Sequence, residues 1–173
     1  MVTRQWIAKD GTPLTLRPLG PKDAGIAREA LRKLSPRTRY LRFFVRGWKL
    51  TEERLARAVN PDPTLEYALI VTAPGKKGEV GIGAGRFFVT TKGDEAEFAL
   101  LLADEWQRKG IGALLLAELV VEARRRKLKR LHGEILAANA GMLRLARRLG
   151  FTVSIHPDDP GIRLASLDLD ARA

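Results

Sequence analysis

The sequence predicts a mixed α/β fold, and three observations support this prediction. Alternating or continuous apolar runs, which indicate strands, occur in both halves of the chain. A strand-like run, Phe98–Ala103, is followed by two glycines and then by a long helical pattern. Near the C-terminus, one strand, one helix and two further strands follow each other. With 173 residues, 45% of them hydrophobic, we expect a single domain over residues 1–173.

The first half of the chain predicts one strand, two helices and a hairpin. Residues 12–17 alternate as a half-buried strand does, and Pro21 suits the first turn of a helix. The dipeptide Ser35-Pro36 ends this helix, and a basic and aromatic segment leads to a second helix that begins at Thr51. Two hairpin strands, residues 65–72 and 79–89, flank a Pro-Gly turn.

The second half predicts the remaining elements in an order that alternates strands and helices. A central strand covers residues 95–103, and a helix covers residues 110–127. A strand over residues 130–136 precedes a helix that begins near Asn139. The chain closes with two strands, over residues 151–155 and 162–169. The predicted order is therefore βααβββαβαββ.

The turn between the central strand and the long helix predicts a phosphate site. It reads Gln-Arg-Lys-Gly-Ile-Gly-Ala over residues 107–113. Its two glycines let the backbone approach a ligand, and the first N–H groups of a helix have no partner inside the helix. A pyrophosphate fits these donors and the positive charge beside them. The chain has no Walker-type Gly-x-x-x-x-Gly-Lys motif, and the alternative is a turn that binds nothing.

This loop resembles the acyl-CoA pyrophosphate loop of the GNAT N-acetyltransferases, and the element order is similar to that of a GNAT domain. Residues 34–44, 96–107 and 133–151 resemble the GNAT domain of bacterial Pat-type protein lysine acetyltransferases. The resemblance implies an α/β (α+β) GNAT fold. Its mixed, mostly antiparallel central sheet would be splayed at the acyl-CoA site and flanked by helices.

The resemblance also implies acetyl-CoA as co-substrate and a set of residues that hold it. Backbone groups of Leu101 and Leu102 would bind the pantetheine arm as an added strand does, and the Leu102 N–H would be the oxyanion donor. Asn139 would bind the arm, cap a helix, or do both. The expected cofactor-binding residues are Leu101, Leu102, Gln107, Arg108, Lys109, Gly110, Ile111, Gly112, Ala113 and Asn139.

Glu97 is the candidate general base, since it lies 13 residues before Gly110 on the central strand, where many GNAT enzymes carry a catalytic glutamate. A carboxylate in an apolar strand costs stability unless it has a partner or a task. The alternative is that Glu97 lies at an exposed strand entrance. Many relatives also carry a tyrosine seven residues after the asparagine, which protonates the leaving thiolate. Here Ala146 occupies that position, so solvent would supply the proton.

The acceptor side is expected to be basic. The resemblance implies that the first two helices and their connection wall the acceptor site. This region carries Arg37, Arg39, Arg42 and Arg46, which favour an acceptor lysine among acidic residues or an anionic small molecule. We therefore expect an acetyltransferase that acts on a protein lysine. The alternatives are a small-amine acetyltransferase, a non-catalytic acyl-CoA sensor and a basic nucleic-acid-binding module, the last because the net charge is +11.

Composition excludes other chemistries. The chain has no cysteine, which rules out disulfides, thiolate metal sites and a cysteine nucleophile, and it has two histidines. We expect no bound metal. No signal peptide and no apolar run of about 18 residues is present, which predicts a cytoplasmic protein without a membrane segment. A monomer or a homodimer is expected.

Overall fold

The computed structural model describes residues 3–170. Its strands are β1 (Arg4–Ile7), β2 (Pro13–Pro18), β3 (Glu66–Gly75), β4 (Gly78–Val89), β5 (Glu95–Leu102), β6 (Arg130–Leu136), β7 (Thr152–Ile155) and β8 (Ile162–Asp168). Its α-helices are α1 (Ala24–Lys33), α2 (Pro36–Phe43), α3 (Glu52–Val59), α4 (Ile111–Arg125) and α5 (Ala140–Arg148). Short 3-10 turns occur at Pro21–Asp23 and Asp104–Trp106.

The strands form one sheet in the order β1-β2-β3-β4-β5-β6-β8-β7. Every neighbouring pair is antiparallel except β5 and β6, which are parallel. The prediction of a mixed, mostly antiparallel GNAT sheet is confirmed.

The parallel pair is short, and this opens the sheet at its centre. Only Glu95, Ala96 and Glu97 of β5 pair with β6, through residues 130–132. The ladder between β4 and β5 continues to Leu102, and the ladder between β6 and β8 continues to Leu136. Beyond Glu97 the two strands therefore diverge and leave a gap, which is the predicted splay.

Helices cover both faces of the sheet. Helix α4 packs on β4 and β5, and its Leu115, Leu116 and Leu119 are fully buried. The core on this face extends to Phe98 and Phe151, whose rings meet edge to face at 5.3 Å. On the opposite face a second apolar cluster joins α1 and α3 to the sheet. The long apolar stretch of α4 explains why the central layer forms around it.

Two elements were not predicted. Strand β1 is mostly exposed and pairs only with β2, so its four residues carry little apolar patterning. Helix α2 lies in the basic and aromatic segment, to which we had assigned no helix. Ser35 caps it by accepting a hydrogen bond from the Thr38 N–H at 3.2 Å, and Pro36 occupies its first turn. The Ser-Pro pair therefore ends α1 and also begins α2.

Candidate active site

The gap between β5 and β6 exposes unpaired backbone groups. The Ala103 N–H donates to the Ile82 carbonyl at 2.9 Å, and Gly83 lies opposite Leu102 in the same register. In an antiparallel ladder successive residues point their N–H and C=O groups to opposite sides. Leu100 and Leu102 therefore point these groups away from β4, into the gap that β6 has left. The gap therefore presents backbone donors and acceptors to which an extended ligand could bond as a neighbouring strand does.

This register corrects one expectation. The Leu101 backbone lies opposite Ala84 and points toward β4, so its N–H and C=O belong to the existing ladder. Leu100, which we did not predict, takes its place as the second residue with free groups in the gap. Leu101 is nevertheless among the residues that line the site, as described below. The Leu102 N–H points into the gap, as its predicted role requires.

The glycine loop begins α4 with its N–H groups free. Gly110 is the N-cap residue with a φ of 86°, a left-handed conformation that glycine adopts without strain. The N–H groups of Ala113 and Leu114 both donate to the Gly110 carbonyl, at 3.1 and 3.2 Å. The N–H groups of Ile111 and Gly112 precede these bonds and are available to an anion. A Cβ on Gly112 would lie 3.1 Å from Leu145, so only glycine fits easily.

A cavity of about 450 Å³, here called the loop cavity, joins the gap to the glycine loop. Parts of α2, the end of β5, the glycine loop and α5 form its walls. The predicted residues in its lining are Leu101, Leu102, Gln107, Arg108, Gly110, Gly112, Ala113 and Asn139. Arg144 and Arg148 also line it, and these we did not predict. Their i, i+4 spacing places both guanidinium groups on one face of α5 beside Arg108, a distribution suited to phosphates.

Three other predicted residues, Lys109, Ile111 and Asn139, differ in how they relate to the cavity. The Lys109 ammonium lies 3.7 Å from Asp10 and 4.6 Å from the centre of the Trp106 ring, and Lys109 is not part of the cavity wall. The Ile111 side chain is buried in the core, so only its backbone can serve a ligand. Asn139 lines the cavity and also caps α5, because its Oδ1 accepts from the Met142 N–H at 3.2 Å.

A polar cluster ties the loop to α2. Asp104 accepts hydrogen bonds from the Ser35 hydroxyl at 2.6 Å and the Thr38 hydroxyl at 2.8 Å, and from the Ser35 N–H at 3.0 Å. Gln107 donates to the Thr38 hydroxyl at 3.1 Å and to the Leu102 carbonyl at 3.3 Å. The Gln107 amide thus positions the walls of the loop cavity, and we had expected it to act as a ligand donor.

We predict that Asp104→Asn lowers the free energy of unfolding by about 1 kcal/mol and weakens acetyl-CoA binding, because one acceptor oxygen becomes a donor. Burial raises the pKa of Asp104, but the hydrogen bonds from Ser35 and Thr38 outweigh it and bring the pKa below its ordinary 3.8. A lowered carboxyl pKa stabilises the fold at neutral pH and loses this effect as the pH falls through it. Urea unfolding at pH 7 and pH 3 measures the free energy of unfolding of the wild type and of Asp104→Asn, with Glu105→Gln as the exposed control. If Asp104→Asn is less stable than the wild type by the same amount at both pH values, the ionised Asp104 carboxylate does not stabilise the fold.

A second cavity, of about 440 Å³, lies on the opposite face of the sheet and is here called the helix cavity. Helices α1 and α3, the segment between α2 and α3, and the outer face of β4 and β5 surround it. Phe43 and Trp48 stack at 3.9 Å in its wall. Of the four arginines that we expected near the acceptor, only Arg42 lines it, whereas Arg54, Arg57 and Arg86 were not predicted.

The two cavities share two residues. Leu101 and Arg42 line both, so the end of β5 separates them. The pKa of Arg42 is lowered to about 10, by burial first and then by the charge of Arg86, and the carboxylate of Glu97 acts in the opposite direction. Burial also raises the pKa of Glu66, which lies 3.8 Å from Arg86. Cations therefore outnumber carboxylates around the helix cavity.

Glu97 is exposed, and the expectation that it is buried is wrong. Side chains alternate along a strand, so Glu97, Ala99 and Leu101 share the face opposite α4. Ala99 and Leu101 line the helix cavity, and Glu97 therefore lies on the same face. Its carboxylate is close enough to Arg42 to act on the pKa of that guanidinium. Its carboxylate is accessible to water on the helix-cavity side of the sheet.

No tyrosine lines either cavity in the part of the chain that the structure describes. Tyr40 lies beside Arg46, whose guanidinium is 5.2 Å from the ring centre, and Tyr67 packs against Phe87. Ala146 is fully buried in the core. Within residues 3–170 no cluster of three metal-ligating side chains occurs, and no helix is long and apolar enough to cross a membrane.

Most of the basic stretch at the end of α4 is paired with acidic residues. Arg125 and Arg126 bind Glu122 at 2.7 and 2.9 Å, Lys129 binds Asp94 at 2.9 Å, and Arg130 lies 3.5 Å from Glu95. Four of the basic residues therefore have acidic partners within the protein, and a bound nucleic acid is not needed to explain their presence.

The sheet gap, the free helix N-terminus and the arginine-lined cavity together define an acyl-CoA N-acyltransferase. The sequence model of the acetyltransferase (GNAT) domain matches residues 13–152. The acetyltransferase PA5475 of Pseudomonas aeruginosa is 30% identical over 152 residues, which cover 87% of this chain and 81% of that protein. The chain belongs to the GNAT acetyltransferase family.

Solved structures agree with this assignment. The GNAT domain of S. lividans PAT has a TM-score of 0.84 with this chain at 25% identity, and the match covers 96% of both chains. The yncA protein of Salmonella typhimurium, whose structure holds acetyl-CoA, has a TM-score of 0.70 at 22% identity over 92% of this chain and 96% of that one. Membership of the acetyltransferase family makes acetyl-CoA the co-substrate. The resemblance to the Pat-type domain extends over nearly the whole chain.

Proposed function

We propose that this protein transfers the acetyl group of acetyl-CoA to the side-chain amine of a protein lysine, with Glu97 as general base. The observation that carries the proposal is that the loop cavity and the helix cavity meet at Leu101 and Arg42. A thioester held in one cavity is thereby accessible to an amine that enters through the other. The apolar lining near Ala99 and Leu101 suits the unbranched, apolar arm of a lysine.

In the loop cavity this chain supplies donors for the pantetheine arm and for the pyrophosphate of the cofactor. The free groups of Leu100 and Leu102 would hold the pantetheine arm, and the N–H groups of Ile111 and Gly112 would hold the pyrophosphate. The arginines of α5 and Arg108 would neutralise its charge. The Leu102 N–H would stabilise the negative charge that develops on the thioester oxygen.

Glu97 acts on the amine and not on the cofactor. A lysine is protonated at neutral pH, so its nitrogen needs a base before it can attack. Glu97 lies four residues before Leu101, a separation of about 13 Å along a strand. This length requires more than one water molecule between carboxylate and amine, and the exposure of Glu97 admits them.

The acceptor cavity favours a lysine with acidic neighbours. Arg54, Arg57 and Arg86 line its wall, and Glu66 is the carboxylate among the lining residues. We expect an acidic-flanked lysine peptide to be acetylated faster than a basic-flanked one, with the difference decreasing as salt increases. Mass spectrometry of both peptides, beside a panel of free small amines, tests this. Preferential acetylation of a free amine would favour a small-molecule acetyltransferase instead.

Acetyl-CoA should stabilise the fold strongly. At 100 times its Kd, a ligand that binds only the folded state adds about 2.7 kcal/mol. For a chain of this size the melting temperature should rise by about 5–10 °C. Differential scanning fluorimetry measures the rise, with adenosine as a control that lacks the pyrophosphate and the thioester arm. An unchanged melting temperature would remove the basis of the transferase proposal.

A further inference from the structure

Arg42 occupies the junction of the two cavities without a carboxylate partner. Its guanidinium lies 5.0 Å from the centre of the Phe43 ring, and within residues 3–170 it forms no ion pair and no hydrogen bond. Arg86, nearby, lies 3.8 Å from Glu66 and donates to the Ala58 carbonyl. The difference between the two arginines is that Arg86 has an ion pair and a hydrogen bond in the protein. Among the described residues Arg42 has neither, and the only carboxylate whose charge acts on it is the more distant Glu97.

An unpaired, half-buried cation is unfavourable for folding. Burial takes the guanidinium out of water, and the second cation at Arg86 repels it. At neutral pH Arg42 nevertheless keeps its charge, since its pKa remains about 10. A site of this kind is complementary to an anion that is absent from the resting protein and forms or arrives at the junction.

The acetyl transfer itself creates such an anion. A C–N bond forms between the acceptor nitrogen and the acetyl carbon, while the C–S bond of the thioester breaks and its electron pair moves to sulfur. The proton of the amine passes through water to Glu97. The Leu102 N–H is the proposed hydrogen-bond donor to the negative charge on oxygen. The negative charge on sulfur has no tyrosine hydroxyl to donate to it, because neither Tyr40 nor Tyr67 lines the loop cavity or the helix cavity.

We propose that Arg42 is a catalytic residue that stabilises the departing CoA thiolate at the junction of the two cavities. The inference rests on the acyl-CoA transferase activity and on no particular acceptor. Solvent then protonates the thiolate after release, so no general acid is required. A guanidinium fits this task better than an ammonium, because it keeps its charge when buried.

The test compares Arg42→Met with Arg37→Met, a change of an exposed arginine on the same helix. The Kd of CoA and of desulfo-CoA, which lacks the thiol, is measured by calorimetry between about pH 6 and pH 10. The wild type and Arg37→Met should bind CoA increasingly better than desulfo-CoA as the pH rises and the bound thiol ionises. Arg42→Met should lose about tenfold of this preference, which corresponds to one pKa unit of the thiol. Its affinity for desulfo-CoA should stay unchanged.

The other charged groups around the thiol are the same in both variants. Arg86 and Glu97 face Arg42 from β4 and β5, while Arg108, Arg144 and Arg148 lie in the loop cavity. The thiolate absorbance of bound CoA, followed against pH, gives the ionisation directly. An unchanged thiol titration in Arg42→Met would overturn the proposal, and a rise confined to the acceptor KM would assign Arg42 to acceptor binding.

Kinetics separates this proposal from the proposed function. Arg42→Met should lower kcat by about 10- to 100-fold with little change in acceptor KM, and Arg42→Lys should recover part of the loss. Circular dichroism checks that each variant folds, and Arg42→Gln replaces Arg42→Met if the methionine variant does not. If the wild type acetylates only small amines, the lysine proposal fails while the thiol titration still decides the role of Arg42. No recovery in a folded Arg42→Lys, together with an unchanged thiol titration, would leave Arg42 a structural residue.

Discussion

Gly110→Glu should lower the affinity for acetyl-CoA by at least about 100-fold, or about 2.7 kcal/mol of binding free energy. Gly110 lines the loop cavity, and its backbone begins the helix whose first N–H groups would hold the pyrophosphate. A glutamate there brings a carboxylate against phosphates and occupies their space. A Cβ at this position meets no protein atom within 4 Å, so the side chain has room without disturbing the core. Isothermal titration with acetyl-CoA measures the loss.

Gly93→Glu is the matched control for this substitution. Gly93 has a φ of 81°, close to the 86° of Gly110, and a Cβ there also meets open space. Both variants place a non-glycine residue in a left-handed conformation, which costs about 1–2 kcal/mol, so their melting temperatures should fall by similar amounts. Only Gly110→Glu should lose affinity for acetyl-CoA. Equal affinity in the two variants would mean that the pyrophosphate binds elsewhere.

Glu97→Gln should lower kcat/KM by roughly 10²–10⁴ while the Kd of acetyl-CoA changes by less than about threefold. The reason is geometric, because Glu97 lies on the helix-cavity face of β5 whereas the cofactor would lie in the loop cavity on the other side. The deficit should shrink as the pH approaches the lysine pKa of about 10.4, since the amine then arrives without its proton. Steady-state rates between pH 7 and pH 10 give the profile.

The control for the base is Glu53→Gln, a change of an exposed carboxylate in the first turn of α3. It should leave both the rate and the pH profile as they are. Full activity of Glu97→Gln at pH 7 would transfer the role to water or to another group. A deficit that stays constant up to pH 10 would indicate that Glu97 supports the structure and does not accept a proton.

Much of the fold could be predicted because its core elements carry strong patterns. The apolar runs of β5 and α4 and the glycines between them determine the centre of the sheet. The inner face of α4 is fully buried, whereas the end of β5 is only partly buried because it lines the two cavities. Helix α2 was missed because its basic and aromatic residues show no apolar stripe, and its start depends on a single hydrogen bond to Ser35. Strand β1 was missed because an exposed strand of four residues needs no apolar pattern.

The site was predicted in part, and the errors have one cause. The position of a residue in the chain identifies the loop, but hydrogen-bond direction decides which backbone groups are free. Leu100 and Leu101 are adjacent and chemically identical, and only the register with β4 reveals that Leu100 faces the gap. Likewise, the same basic loop contains Arg108, which lines the cavity, and Lys109, which binds Asp10. Arg42 could not be distinguished from Arg37, Arg39 and Arg46 by spacing alone.

The divergence of β5 and β6 also bears on self-association. An unpaired strand edge is a template on which other chains can add as strands, and most proteins keep such edges short or covered. Here the edge lies inside a cleft between two halves of one sheet, bounded by α2 and α5. A slender, unbranched arm can enter this cleft lengthwise, whereas a polypeptide strand with side chains on both faces meets the walls. The fold can thus keep a permanently open β-edge for its ligand without offering it to neighbouring molecules.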